Sequence, residues 1–236
     1  MKWIAIILAA AIGAVVLDGI AYPSVTLRYR LTLEAEVEGQ PKTGTGVIEV
    51  TYSKQPQIAT QRELSIRYRG EAIVLDLGSR GILFALLKAG ADSRSGPEWI
   101  ALRAFNLPGG SFPRPVEEGV KQVRRLSGKR ELPFESLPLL VRFRDINDPM
   151  TVERVPLNIA ERFGAGAKLV RATLEIVPTG IWPFNAFGIS GVPVTTGIQE
   201  RLNWLRRLNG GYLDGAFAGG GPALSNVLHG GDFDRE

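Results

Sequence analysis

The residue types that most often do chemistry are scarce in this chain and poorly grouped. It has no cysteine and one histidine, His229, which sits in a glycine-rich stretch. Without cysteine there are no disulfides, no thiolate metal sites and no thiol nucleophile. One histidine falls short of a histidine-ligated zinc site. A Ser-His-Asp triad would have to recruit His229 from a segment expected to be mobile. No catalytic residue and no metal-ligand set is therefore assigned, and no cofactor is implied.

Three constellations remain. The first is Phe143-Arg144-Asp145-Ile146-Asn147-Asp148-Pro149. Asp145 and Asn147 have the opening spacing of a calcium loop, but Pro149 stands at the next ligand position and Met150 where glycine is required. The string reads as a turn whose Asx side chains bond nearby backbone. Ligand binding by Asp145, Asn147 and Asp148 is the functional alternative. The second is the loop Ile181-Trp182-Pro183-Phe184-Asn185-Ala186-Phe187. Its aromatics read first as core, because such residues carry much of the apolar area a β domain buries. Alternatively Trp182, Phe184 and Phe187 form a partner site or dip into a bilayer interface. The third is the basic cluster Lys121, Arg124, Arg125, Lys129 and Arg130. A solvated helix face is the plain reading, and contact with anionic lipid is the functional one. Nucleic acid is not expected as a partner, since no aromatic platform is interleaved.

Weaker signals resolve into structure. Glu34, Glu36 and Glu38 belong to an alternating polar row that begins with Arg28 and Arg30, as an exposed strand face requires. Gly188-Ile189-Ser190-Gly191-Val192 lacks the final glycine of a nucleophile elbow. Lys42-Thr43-Gly44-Thr45-Gly46 lacks the phosphate-loop pattern and reads as a hairpin turn.

The elements that position these residues follow from hydropathy. Ser24 to Glu38 alternates without a break, which predicts a half-buried strand long enough to bend or to serve two neighbours. A second strand is expected near Gly46–Ser53, after a turn over Gly39–Gly44. Leu64–Arg69 and Ala72–Leu77 read as a hairpin with its turn at Arg69-Gly70-Glu71. Gly81–Lys88, Trp99–Phe105, Leu139–Asp145 and Thr151–Val155 read as further strands. Lys168–Val177 alternates again, with Val170, Ala172, Leu174 and Ile176 on one face. Helices are expected over Val116–Leu126, after Asn158, and over Gly197–Leu208 with a Thr196/Gln199 capping box. The fold class is α+β, mainly β: an antiparallel sheet or sandwich of long hairpins with two or three short helices.

An apolar segment precedes this body. Lys2 is followed by an uncharged run from Trp3 to Leu17, with small residues at Gly19 and Ala21. Residues 1–21 have the make-up of a signal peptide or of an N-terminal hydrophobic helix that stays as a membrane anchor. Residues 22–208 are expected to form one β-rich domain, and 209–236 a glycine-rich flexible tail. The net charge is +4, which suits anionic partners without specifying one.

Tyr29-Arg30-Leu31-Thr32-Leu33-Glu34, Phe143–Pro149 and Pro193–Leu205 resemble a family of exported, proteobacterial-type proteins over about residues 24–208. The resemblance implies a bacterial envelope setting and a single evolutionary unit, and carries no activity, ligand or catalytic residue. The expected function is therefore that of a cell-envelope protein on the periplasmic side of the inner membrane, binding a protein partner or the membrane surface. An envelope enzyme using carboxylates and arginines on a glycan is the alternative.

Overall fold

The computed structural model describes residues 21–56, 62–89, 96–181, 184–185, 189–208, 211–215 and 223–235. The leader through residue 20, Trp182 and Phe187 lie outside the described residues. In chain order the strands are β1 (Ser24–Val37), β2 (Gln40–Lys54), β3 (Leu64–Glu71), β4 (Ile73–Asp76), β5 (Ile82–Ala89), β6 (Lys129–Glu131), β7 (Pro138–Phe143), β8 (Val152–Arg154), β9 (Ala167–Val177) and β10 (Asp234–Arg235). The α-helices are α1 (Glu98–Ala104), α2 (Val116–Arg124), α3 (Ala160–Phe163), α4 (Ile198–Arg201) and α5 (Leu205–Leu208). The protein is mainly β, with five short helices among the described residues rather than two or three. No helix among the described residues is long and apolar enough to cross a membrane.

Two antiparallel sheets carry the fold: a six-stranded sheet in the order β10-β3-β2-β1-β9-β6 and a four-stranded sheet in the order β4-β5-β7-β8. The alternation of β1 works as expected, with Leu27, Tyr29, Leu31 and Leu33 buried on one face. The strand serves two neighbours, pairing with β2 from Ser24 to Val37 and with β9 from Arg28 to Val37. Its partner β9 shifts register opposite Glu34 and Ala35. That bulge turns Val170 outward, against the sequence expectation.

The turn between β1 and β2 is tighter than the sequence suggested. Glu38 and Gly39 both have positive φ, at 51° and 79°, as a two-residue hairpin turn that matches strand twist requires. β2 therefore begins at Gln40, and Lys42–Gly46 is strand rather than turn. Its glycines answer to packing. A Cβ on Gly44 would stand 2.5 Å from the Val74 carbonyl oxygen, and one on Gly46 2.8 Å from Ile73 Cγ1. The absent side chains let β4 of the second sheet lie directly on β2.

The chain does not form a β3/β4 hairpin. β3 runs on through Glu71, and at Ala72 the chain crosses into the second sheet. Residues 99–105 are mostly the helix α1 rather than a strand. A short apolar run has no decisive period, and Glu98, Ala101, Leu102 and Ala104 are good helix formers. Tyr29 Oη donates to the Pro97 carbonyl at 2.8 Å and Tyr52 Oη to the Glu98 carbonyl, fixing the start of α1 under the large sheet. Burial holds both phenols above their ordinary range.

The core has two compartments. The larger joins the inner face of the six-stranded sheet to Ile73, Leu75, Leu83, Ala85 and Leu87 of the small sheet, with α1 and α2 closing it. The smaller lies on the other face of the small sheet, where Phe84, Leu86, Leu139 and Val141 meet Leu202, Trp204, Leu213, Leu228 and Phe233. Residues 211–215 and 223–235, expected in a flexible tail, instead supply Leu213, Leu228 and Phe233 to this second core. Their apolar residues are too widely spaced to show a period in the sequence. The expected helix over Gly197–Leu208 is broken between α4 and α5 for the same reason. Leu202 and Trp204 are about 200° apart on a continuous helix. Only a break lets both be buried.

The fold thus extends beyond residue 208. A chain ending at Leu208 should fail to unfold cooperatively in urea, whereas the chain through residue 236 should show one transition. Phe233→Ala in the longer chain should cost about 3–5 kcal/mol by the same measurement.

Candidate functional site

The Asp145–Asp148 string is a turn joining β7 to β8. Asp145 Oδ1 accepts from the Asn147 amide at 2.9 Å, and Asp148 Oδ1 from the Met150 amide at 2.9 Å. Thr151 Oγ1 donates to the carbonyls of Asp145 and Asp148 at 2.9 and 2.7 Å. One oxygen of each carboxylate is engaged within the turn itself. Trp204 Nε1 donates to the Ile146 carbonyl at 2.9 Å, tying the turn to the second core. Its ring meets Phe143 and Phe233 at 5.4 and 5.7 Å.

Arg124 of the basic cluster and the start of the aromatic loop lie toward the same end of the large sheet, with Lys129 and Arg130 nearer its middle. β1 starts at that end, at Ser24, soon after the apolar N-terminal sequence. β9 runs antiparallel to β1 and ends with Val177 opposite Arg28, so the loop that follows departs toward the leader end. Arg124, on the last turn of α2, donates through Nη2 to the Ser24 carbonyl at 3.1 Å. Lys129 pairs with Glu175 in the β6/β9 ladder, and Gly128 accepts from the Ile176 amide at 3.0 Å. All five basic residues are exposed. Only Lys121 has an acidic partner, Glu118 at 4.0 Å, among the described residues. Arg130 stacks over the Phe105 ring at 5.2 Å.

The loop itself has a firm neck. The Val192 amide donates to the Pro178 carbonyl at 2.9 Å. A Cβ on Gly191 would stand 2.5 Å from the Gly180 nitrogen, so only glycine permits this approach. Ser190, the serine of the elbow-like string, accepts from the Ile181 amide through Oγ at 2.9 Å. The neck is fastened to the sheet by Arg28, which donates to the Val192 carbonyl and through Nε to Glu49 at 2.9 Å. Thr195 continues the attachment, accepting from the Val47 amide at 2.8 Å. Beyond the neck, Ile181, Phe184 and Ile189 are 71, 53 and 73% exposed. The core reading of this loop therefore fails for its described apolar residues.

Sequence reasoning missed a polar cluster around His229. Asp232 is buried and meets Lys88 Nζ of β5 at 3.2 Å and His229 Nε2 at 3.4 Å. It also accepts from the His229 amide at 3.0 Å. The His-x-x-Asp spacing was the available signal, masked by the surrounding glycines. Burial holds His229 below its ordinary range, and Lys88 and Arg235 add to this against the pull of Asp232. Burial pushes Asp232 up, opposed by the His229 amide, the imidazole and Lys88. Glu71 plays a parallel part, accepting from the amides of Gly197 and Ile198 at 2.8 Å each. It caps α4 from across the fold, in place of the expected Thr196/Gln199 box. Gln199 instead donates to Asp234.

The described clefts do not assemble a working acid pair. The cavity beside the β7/β8 turn, about 370 Å³, contains only Asp145 among acids. Glu71 and Asp234 share a space of about 40 Å³, and both carboxylates are already engaged. No group of three or more metal-ligating side chains occurs among the described residues.

The His229 cluster makes stability depend on pH. The folded-state value of His229 lies below its unfolded one, so its contribution is present above about pH 6.5 and lost as pH falls further, while Asp232, held up by burial, works in the opposite sense as it protonates. Tm should drop between about pH 7 and pH 5, and His229→Gln should remove part of that drop. Asp232→Asn, which leaves Lys88 unpaired, should cost about 3–5 kcal/mol in urea at neutral pH. No family model, curated protein or solved structure matches the chain, so its function is read from this geometry.

Proposed function

We propose that this chain is a bacterial cell-envelope protein whose β-rich domain lies on the periplasmic surface of the inner membrane and binds that surface through its leader-proximal end. The observation that carries the reading is the shared location of three features. The apolar leader enters at Ser24, Arg124 bonds to that same residue, and the exposed loop leaves β9 four positions along the ladder. Four residues of strand span about 13 Å, so these features fit one patch of bilayer. Lys121, Arg124, Arg125, Lys129 and Arg130 face lipid head groups. Each such charge contributes about 1 kcal/mol near an anionic surface. Ile181, Phe184 and Ile189 enter the interfacial region, where apolar and aromatic side chains at a loop tip gain most. The leader sets the orientation, with its positive start inside, whether it is cleaved after docking or kept as an anchor.

The glycan-enzyme alternative draws no support from the described clefts, where acids are single or already bonded. The turn residues Asp145, Asn147 and Asp148 belong to the structure of the second sheet and have no part in this reading.

Among the described residues both cores run from Val25 to Phe233, so the chain without its apolar N-terminal segment is expected to fold. That form should sediment with vesicles containing anionic phosphatidylglycerol and not with pure phosphatidylcholine. Reversing Arg124, Arg125 and Lys129 to glutamate should weaken binding by about 100-fold or more, in line with their summed charge. Phe184→Ser with Ile189→Ser should weaken it further and reduce its resistance to salt. Equal binding to both vesicle types, or none to either, would remove the proposal.

A further inference from the structure

Among the described residues the outer edge of β3 is mostly uncovered. β10 covers only its last two residues, pairing Asp234 with Glu71 and Arg235 with Gly70. From Leu64 to Arg69 no other described strand lies on that side. The direction of the free groups follows from two neighbouring bonds. The Gln55 amide donates to the Glu63 carbonyl at 2.7 Å, so odd-numbered residues of β3 face β2. The Ala72 amide donates to the Phe233 carbonyl at 2.7 Å, so even-numbered residues face outward. Leu64, Ile66 and Tyr68 therefore aim their N–H and C=O groups away from the sheet.

The surroundings of this edge are basic. Arg67 and Arg69 are exposed beside it, and Arg235 extends over the Tyr68 ring at 5.1 Å. A cavity of about 460 Å³ runs along the edge, lined by Ile66, Arg67, Tyr68, Arg69 and Arg235. Glu49 also borders it, but its carboxylate is held by Arg28. Arg67, Arg69 and Arg235 form no ion pair among the described residues. A second copy of the chain is a poor occupant, because edge-to-edge pairing would set these arginines against their own counterparts. The chain itself shows what the edge accepts. Asp234-Arg235, following the turn through Phe233, lies extended along it and occupies the first positions.

We propose that the β3 edge binds an acidic, extended segment of a partner protein, which adds to the sheet as a strand beyond β10. Main-chain bonds to Leu64, Ile66 and Tyr68 supply the affinity, and Arg67, Arg69 and Arg235 select the charge. This site is separate from the membrane-facing end and does not depend on it.

The test uses the leaderless chain and two fluorescent eight-residue peptides, one alternating glutamate with valine and threonine, the other with lysine in place of glutamate. Anisotropy should show the glutamate peptide binding at least about 10-fold tighter. Arg67→Glu with Arg69→Glu should invert that preference. Ile66→Pro, which deletes one outward N–H, should weaken binding about 10-fold or more. The bound glutamate peptide should also protect the amides of Ile66 and Tyr68 from hydrogen exchange. The proposal is overturned if the two peptides bind alike, or if neither protects those amides. The arginines would then serve only to keep the edge from pairing with itself. Should Ile66→Pro fail to fold, the exposed charge reversal and the exchange pattern decide the matter.

Discussion

The register of β1 is the constraint on which the rest of the molecule depends. One face of the strand is buried along its whole length, so a slip of one residue would send every core side chain to solvent. Its pairing with β2 and β9 is therefore fixed, and so are the places where chain enters and leaves the sheet. β1 begins at Ser24, β9 ends with Val177 opposite Arg28, and the stretch from α2 to β6 passes beside β9. Residues scattered from position 22 to position 189 share one end of the protein as a consequence of that ladder.

The second dependence is the closing of the small sheet. Its outer face is apolar and must be covered, and the covering comes from the last forty residues of the chain. Two buried carboxylates hold that layer in place. Glu71, at the point where β3 hands over to β4, caps α4. Asp232 joins Lys88 to the His229 segment. Each sits in a position where an unpaired charge would be costly, and each has its partners. Glu71 lies far in sequence from α4, and Asp232 from Lys88, so the layer assembles only when the sheets have formed.

The fold was legible where one physical rule acted alone. The alternation of β1 reads directly as a half-buried strand because nothing competes with it. The α2 helix reads as well, with Val116, Val120 and Val123 on one face. Reading failed where tertiary packing overrode local signal. Gly44 and Gly46 look like a turn but make room for β4. Trp99 to Ala104 has apolar residues without a decisive period. Val170 is displaced by a bulge that no residue type announces. The C-terminal layer was least visible, since eight glycines hide the few apolar residues that fix it. The candidate site was half legible. The basic cluster and the aromatic loop stand out by composition, but their common location follows from strand register. The turn at Asp145 was correctly read as a turn.

The proposed reading is of a domain held against a bilayer by charge, a short apolar loop and the apolar N-terminal segment. The absence of cysteine makes the direct measurement simple. Nitroxide labels on Phe184→Cys and Asn147→Cys, each in the full chain reconstituted into anionic liposomes, report depth through collision with oxygen and with a water-soluble nickel chelate. Oxygen should dominate at position 184 and the chelate at position 147. Equal access of the chelate to both positions would contradict a membrane-facing end and leave the loop as a surface feature of another purpose.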